Sequence, residues 1–356
     1  MPASRAQIEL ALRNVIDPEL GKPVTMLGMV RKIDVEGGAV RIVLALTIAG
    51  CPLKDSFREQ VARHVGAVPG VDSVELAFEE MTDEQKQALR HRLGIPEKRG
   101  ISLHESTRVL AVTSGKGGVG KSSISVNLAA ALSGLGEQVG VLDADIYGHS
   151  VPQLLGVTQH PVAVDEMIVP PLGHGLKLMS IGFFIDENKP VIWRGPMLHK
   201  ALEQFLSDVH WGDIDTLVVD MPPGTGDVAL SLSQLLPTAE TIVVTTPQPL
   251  AQEVAARAAL MAGETGMRLL GVVENMSYLV GSGQEVFGSG GGERLAEELG
   301  VPLLGRVPLD PVLRECGERG EPVTLGAPES ESAAAIVSIA EAVVRSAQAG
   351  NDISSP

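Results

Sequence analysis

The sequence is short of aromatics, of cysteine, of long apolar runs and of basic charge. Six Phe, two Trp and two Tyr occur among 356 residues, so any core must be built from aliphatic side chains, which the 44% hydrophobic content supplies. The two cysteines, Cys51 and Cys316, are far apart in sequence. They exclude a disulfide-stapled scaffold and fit a reducing compartment, so the expected location is the cytoplasm. No apolar run approaches the ~20 residues needed to span a bilayer. The first twelve residues mix charged and apolar side chains and lack the apolar segment of a secretory leader. Lys and Arg number 28 against 44 Asp and Glu, a net charge of −16. The imbalance is local: residues 1–107 carry net −1 and the remainder net −15. Such a body is a poor non-specific nucleic-acid binder and is repelled by anionic membrane surfaces. Neither is expected as a partner.

What the sequence does have is glycine, 40 residues of it, and the most informative cluster lies in Thr113-Ser114-Gly115-Lys116-Gly117-Gly118-Val119-Gly120-Lys121-Ser122-Ser123. The apolar run Val109–Val112 before it predicts a buried strand; the run Ile124–Leu135 after it predicts a helix. Strand, glycine-rich turn, Lys-Ser and helix together form a phosphate-binding loop in its proper context. Gly115, Gly117, Gly118 and Gly120 let successive backbone N–H groups converge on an anion without Cβ clashes, and Val119 and Ser123 are candidates to add their own N–H groups to the same ATP site. The helix N-terminus adds partial positive charge. Lys121 is placed to reach the β- and γ-phosphates of ATP, and the Ser122 hydroxyl to ligate Mg²⁺. A second lysine, Lys116, follows the first glycine. This pattern resembles the phosphate loops of the MinD/ParA/nitrogenase-iron-protein class. The resemblance implies a homodimer in which Lys116 reaches across to the partner's nucleotide.

Further along, apolar strands end in acids. Gln138–Leu142 runs into Asp143-Ala144-Asp145-Ile146-Tyr147-Gly148, and Thr216–Val219 into Asp220-Met221-Pro222-Pro223-Gly224-Thr225-Gly226-Asp227. Carboxylates at strand C-termini of a doubly wound sheet face the ligand crevice. Asp145 is the candidate to orient the attacking water, and Asp220 to hold Mg²⁺ through water. Asp143 either orients the metal's waters or caps the following turn, the latter more for Asp143 than for Asp145. Strands at Thr241–Thr245 and Leu269–Val273 alternate with helical stretches such as Leu250–Gly263. The fold class that follows is α/β, a parallel sheet covered by helices on both faces. Asn275 and Pro308 are candidates to bracket an adenine base, with ordinary turn chemistry as the alternative. The apolar spacing of Ser332–Val344 predicts a helix packed on the sheet, followed by a disordered tail over 348–356.

The first 94 residues read as a separate small α+β domain, joined by a linker over 95–107 to an ATPase domain over 108–347. Helices are predicted at Gln7–Asn14, Leu53–Val65 and Asp83–Leu93, the last capped by Thr82, and strands at Val40–Thr47 and Val71–Phe78. Pro52 fits a first helical position, which puts Cys51 at a helix N-cap, where a thiol becomes more acidic and a better metal ligand. The plainer alternative is a small buried residue at a strand–helix corner. Asp17-Pro18-Glu19 and Thr47-Ile48-Ala49-Gly50-Cys51-Pro52 resemble the small domain of iron–sulfur assembly factors. That resemblance raises Asp17, Glu19 and Cys51 as a candidate site.

Taken with Trp193-Arg194-Gly195-Pro196-Met197, Glu274-Asn275-Met276-Ser277-Tyr278 and Phe287-Gly288-Ser289-Gly290-Gly291-Gly292, the acid-ended strands resemble the Mrp/ApbC iron–sulfur cluster carrier ATPases from Arg108 to about Leu325. The resemblance implies ATP binding, slow hydrolysis, a homodimer, and delivery of clusters to apoprotein clients alongside assembly factors. It implies roles for Lys116, Lys121, Ser122, Asp145, Asp220 and Asn275 as argued above. Trp193–Met197 has no derived role beyond core packing or support of a dimer face. One departure stands out. Such carriers have a Cys-x-x-Cys pair after the Asn-Met-Ser segment, two of which bridge a [4Fe–4S] cluster. Here Tyr278–Phe287 contains neither cysteine nor histidine. Cys51 is then the remaining candidate ligand, and Cys316 a helix-end residue. A MinD/ParA-like switch or an assembly adaptor without cargo is the alternative function.

Overall fold

The computed structural model describes residues 3–18, 20–46, 54–93, 103–104, 106–146, 148–164, 167–184, 195–224, 227–236, 238–264 and 266–352. Cys51, Glu19, Tyr147, Trp193, Arg194, Thr225, Gly226 and most of the expected linker, residues 95–102 and 105, lie outside them. The chain divides into two compact units, one of residues 1–100 with 161–170 and one of residues 101–160 with 171–356.

The small unit is built as its pattern dictates. Ser4 and Gln7 form a reciprocal capping box that starts the helix Arg5–Leu12, and its buried face carries Ile8, Ala11 and Leu12. Strands β1 (Val30–Glu36) and β2 (Ala39–Leu46) pair antiparallel across a turn in which Gly37 has φ +64°. The alternation Val40, Ile42, Leu44 faces the core. Strand β3 (Ser73–Glu80) pairs parallel to β2, so a crossover is required, and the helix Lys54–Val65 supplies it. Its Phe57, Val61 and Val65 recur every four residues and are fully or almost fully buried. Thr82 caps the helix Asp83–Leu93 through a second reciprocal pair with Gln85, as expected. The expectation that this domain ends within the first 94 residues is incomplete. Val164 and Val169, from far along the chain, belong to its core.

The other strands, in chain order, are β4 (Arg108–Ser114), β5 (Val139–Asp143), β6 (Val162–Val164), β7 (Met167–Val169), β8 (Leu172–Gly173), β9 (Leu176–Ser180), β10 (Thr216–Asp220), β11 (Glu240–Thr245), β12 (Arg268–Leu279) and β13 (Leu303–Leu309). Eight of them form one sheet in the order β13-β12-β11-β4-β10-β5-β9-β8. All neighbours are parallel except the edge pair β8–β9. The sheet is thus mostly parallel, with one short antiparallel edge that periodicity did not reveal.

Consecutive residues show that both faces are covered. On β11, Ile242 and Val244 join the cluster containing Ile124, Leu128 and Leu132 of the helix Lys121–Gly134, while Val243 joins the cluster of Ala255 and Ala259 from the helix Pro249–Glu264. Side chains on a strand alternate faces, so each face meets its own helical layer. The C-terminal helix Glu331–Asp352 buries Ile336, Ile339 and Val343 against the first layer. It runs past the expected boundary at residue 347, so the segment read as a disordered tail is helical as far as Asp352; the apolar stripe ended earlier, but the helix did not need it to continue. No helix among the described residues is long and apolar enough to cross a membrane.

Phe57 is fully buried in a small unit with few aromatics. Phe57→Ala is expected to lower that unit's stability by about 3–5 kcal/mol through lost burial and the cavity left behind. Denaturant unfolding followed by backbone dichroism measures this; a loss below about 1 kcal/mol would contradict the packing described.

Candidate functional site

The site lies where four strand ends meet the start of one helix. β4 is buried throughout and delivers the loop 115–120 to the C-terminal edge of the sheet. The loop is close-packed from below: a Cβ on Gly115 would lie 2.2 Å from the backbone nitrogen of Ala255. Gly118 and Gly120 take φ of +79° and +81°, conformations that L side chains rarely adopt. Gly120 then caps the helix Lys121–Gly134, whose first N–H groups point into the loop. The Ser114 hydroxyl donates to the Lys116 carbonyl, and the Gly224 N–H donates to the Ser114 carbonyl at 2.8 Å, which ties the loop after β10 to this strand end.

Asp220 is the centre of the arrangement. β10 sits between β4 and β5, and its last residue is register partner to Val112 on one side and Asp143 on the other. The Asp220 carboxylate is fully buried. Lys121 Nζ lies 2.8 Å from Oδ2, the Ser122 hydroxyl donates to Oδ2 at 2.6 Å, and the Ser125 hydroxyl donates to Oδ1 at 2.6 Å. A buried carboxylate is tolerable only when compensated in this way. Lys121 also reaches Asp145 Oδ2 at 3.6 Å.

Both acids that follow β5 act locally. Asp143 accepts the Ser180 hydroxyl at 2.8 Å and the Asp145 N–H at 3.2 Å. Asp145 accepts the Gly148 N–H at 3.1 Å, so both acids cap the turn, where the sequence suggested this more for Asp143 than for Asp145. They differ in electrostatics. Burial, then the adjacent Asp220 carboxylate, push Asp143 up to about 8, opposed by the Ser180 hydrogen bond, the Asp145 N–H and Lys121. The oxygen set of Ser122 and Asp220, hard and anionic, suits Mg²⁺ rather than a soft metal.

Asn275 and Pro308 line one cavity of about 300 Å³ beside Gly120, with Met276, Leu313 and Arg314. The Asn275 amide donates to the Val119 carbonyl at 2.8 Å, and its buried Oδ1 accepts from no donor among the described residues. Met276 holds φ +57° where β12 slips register, and this kink turns residue 275 toward the loop. Lys116 is half-buried and donates to Gln248 Oε1 at 3.0 Å.

Of the candidate site Asp17, Glu19 and Cys51, only Asp17 is among the described residues. Asp17 is buried and caps the turn to Leu20, whose N–H donates to it at 3.0 Å; Glu19 and Cys51 lie outside the described residues. Cys316, on the helix Pro311–Glu318, is fully buried in the aliphatic core of the large unit. Among the described residues no group of three or more His, Cys, Asp or Glu is arranged to hold a metal ion. Ser125 and Ser180 went unnoticed in the sequence. Ser125 was in principle visible, one helical turn after Lys121; Ser180 was not, because only the pairing of β9 with β5 brings it to Asp143.

The raised position of Asp143 predicts a pH effect. Its folded value, about 8, lies above its ordinary 3.8, so the folded protein holds that proton more tightly. The stability it contributes is complete below the unfolded value and is lost as pH rises toward the folded one. In nucleotide-free thermal melts, Asp143→Asn is expected to flatten the fall in stability between those two values. A steeper fall in the variant would contradict the assignment.

A model of the NUBPL iron-transfer P-loop NTPase family matches residues 105–344, and one of an iron–sulfur cluster assembly protein domain matches residues 5–76. An iron–sulfur cluster carrier protein of Mycobacterium tuberculosis is 51% identical over 94% of this chain and 92% of its own length. One of Bacillus subtilis is 45% identical over 82% of this chain and 84% of its own length. Among solved structures, a nucleotide-binding protein of Archaeoglobus fulgidus in complex with ADP is 33% identical, with a TM-score of 0.54 over 67% of this chain and 91% of its own. The cell division ATPase MinD of Pyrococcus furiosus, 24% identical with a TM-score of 0.54 over 67% of this chain and 98% of its own, shares the fold. With a glycine loop, a paired lysine and a buried strand-end acid assembled as described, this chain belongs to the NUBPL-type iron-transfer P-loop NTPase family.

Proposed function

We propose that this protein is a homodimeric, Mg²⁺-dependent ATPase of the cytoplasm that carries iron–sulfur clusters and passes them to apoprotein clients. The observation that carries the reading is the Lys121–Ser122–Asp220 cluster, in a chain half identical to proteins named as carriers. In the nucleotide-bound state, Lys121 exchanges its contact with Asp220 for the β- and γ-phosphates. Ser122 and Asp220 would then be the residues to hold Mg²⁺, which would neutralise charge on the phosphates. The N–H groups of Gly115 to Ser123 receive the phosphate oxygens. Asn275 offers its unpaired Oδ1 to an exocyclic amine of the base, and Pro308 covers the ring. Asp145, buried but less enclosed than Asp143, orients the attacking water. Lys116, released from Gln248, adds positive charge to the partner's γ-phosphate.

The cargo imposes a count. Cys316 is enclosed in the core, which leaves one thiol per chain, Cys51, and two per homodimer. A [4Fe–4S] cluster takes four thiolates, so the remaining ligands come from outside the dimer, from a client or an assembly factor. A second reading, a nucleotide switch or adaptor that docks partners without cargo, is favoured by the thiol-free segment Tyr278–Phe287.

Anaerobic reconstitution with iron and sulfide separates the two. The carrier reading expects bound iron and a charge-transfer band that Cys51→Ala abolishes; no bound iron in the parent protein would leave the switch or adaptor. For the ATPase, Lys121→Ala is expected to abolish nucleotide binding in calorimetry. Lys116→Ala is expected to keep binding and reduce turnover by about 10²-fold or more, as loss of a transition-state charge does. Unchanged turnover would remove Lys116 from the mechanism.

A further inference from the structure

The segment 161–170 interrupts the large unit in sequence and belongs to the small unit in space. Its strands β6 and β7 pair antiparallel, Val162 with Val169 and Val164 with Met167. Val164 is fully buried and Val169 nearly so, in the same core as Ile8, Leu12, Ile42 and Phe57. A loop with no task beyond connection carries polar residues over the surface; this one carries valines into another unit's core.

The two legs that lead to this insertion are both rooted at the candidate nucleotide site. On the outgoing leg, Ser150, Gln153 and Leu154 line the cavity of about 300 Å³ beside Gly120. The returning leg runs through β8 into β9, whose Ser180 donates to Asp143. The legs are packed on each other, since a Cβ on Gly173 would come within 2.5 Å of Val157 and 3.2 Å of Leu155. They are also packed on the cavity wall. The helix Pro311–Glu318 gives Leu313, Arg314 and Gly317 to the cavity, and two residues past its end Gly320 meets Gly156. A Cβ on Gly320 would lie 2.4 Å from Gly156 Cα, and one on Gly156 would lie 2.9 Å from the Gly320 carbonyl oxygen. His174, held at φ +51°, brings its Nε2 to 2.9 Å from that same carbonyl. Backbone lies against backbone here, with no flexible side chain between to absorb a shift of the wall.

We propose that the insertion 161–170 is a coupling arm through which occupancy of the nucleotide cavity alters the core of the iron–sulfur-assembly-type small unit. The inference rests on the reading of that cavity as the nucleotide site. Closure of the wall on a base moves Gly320 and with it Gly156, and both legs move together. Val164 and Val169 at their far end then change how they seat in the small-unit core. A single chain thereby signals to its own assembly-type unit whether nucleotide is bound, without waiting for a second copy.

Hydrogen exchange on the full chain, with and without a non-hydrolysable ATP analogue and Mg²⁺, tests this. Amides of β2 and of the insertion are expected to change exchange rate by about threefold or more on binding. In Val164→Ser/Val169→Ser the analogue is expected to bind within about twofold of the parent affinity, measured by calorimetry, while the response in β2 is lost. The near-isosteric Val164→Thr/Val169→Thr pair gives the same comparison should the serine pair unfold the small unit. Binding without any change in β2 of the parent protein would overturn the coupling alone. So would a β2 response that survives in the variants. Failure of the parent protein to bind the analogue would overturn the nucleotide-site reading and the coupling with it.

Discussion

The compensated burial of Asp220 is the constraint on which the rest of this structure depends. A carboxylate with no solvent exposure sits between two other strand ends and is neutralised by one ammonium and two hydroxyls, all from the first turns of a single helix. Removing the charge from water costs several kcal/mol unless the partners are placed well, and here their placement follows from topology. β10 lies beside β4, so the helix that follows β4 must start directly above Asp220. The glycine loop 115–120 makes that connection in six residues. The same cluster therefore holds the sheet's middle together and stores the groups that a nucleotide and its cation would recruit.

Two further acids stand within reach of that centre and are kept apart in character. Asp143, flanked by Asp220 across the β-ladder, holds its proton to about 8, whereas Asp145 lies one step along, on a turn it caps itself. A divalent cation beside Asp220 would reverse the repulsion, so the site's protonation and its metal affinity are linked.

The two units are joined by more than the segment that precedes β4. The insertion 161–170 gives the small unit two of its core valines, and its outgoing leg meets the wall of the cavity lined by Asn275 and Pro308 where Gly156 lies against Gly320. The acidic charge is concentrated in the large unit: residues 101–160 with 171–356 carry net −14, and residues 1–100 with 161–170 carry net −2. Protein partners that dock electrostatically therefore meet two surfaces of different character in one chain.

Much was decided by the sequence alone. The phosphate loop, its lysine and serine, the strand-ending acids and the helical layers follow from local rules: glycine where φ is positive, apolar runs where a strand is covered on both faces, a period near 3.6 where one face of a helix is buried. The elements at 216–220, 240–245 and 83–93 fall within about one residue of their expected places for that reason. Tertiary structure alone decided what depends on pairing between distant segments. Ser180 on Asp143, Gln248 on Lys116 and the valines of 161–170 in the small-unit core carry no local signal. Each is a residue of ordinary type in an ordinary pattern, given its role by a neighbour a hundred or more positions away or by the register of a strand. A hydrogen bond or a buried methyl has no preference for partners close in sequence, so only the folded chain names them.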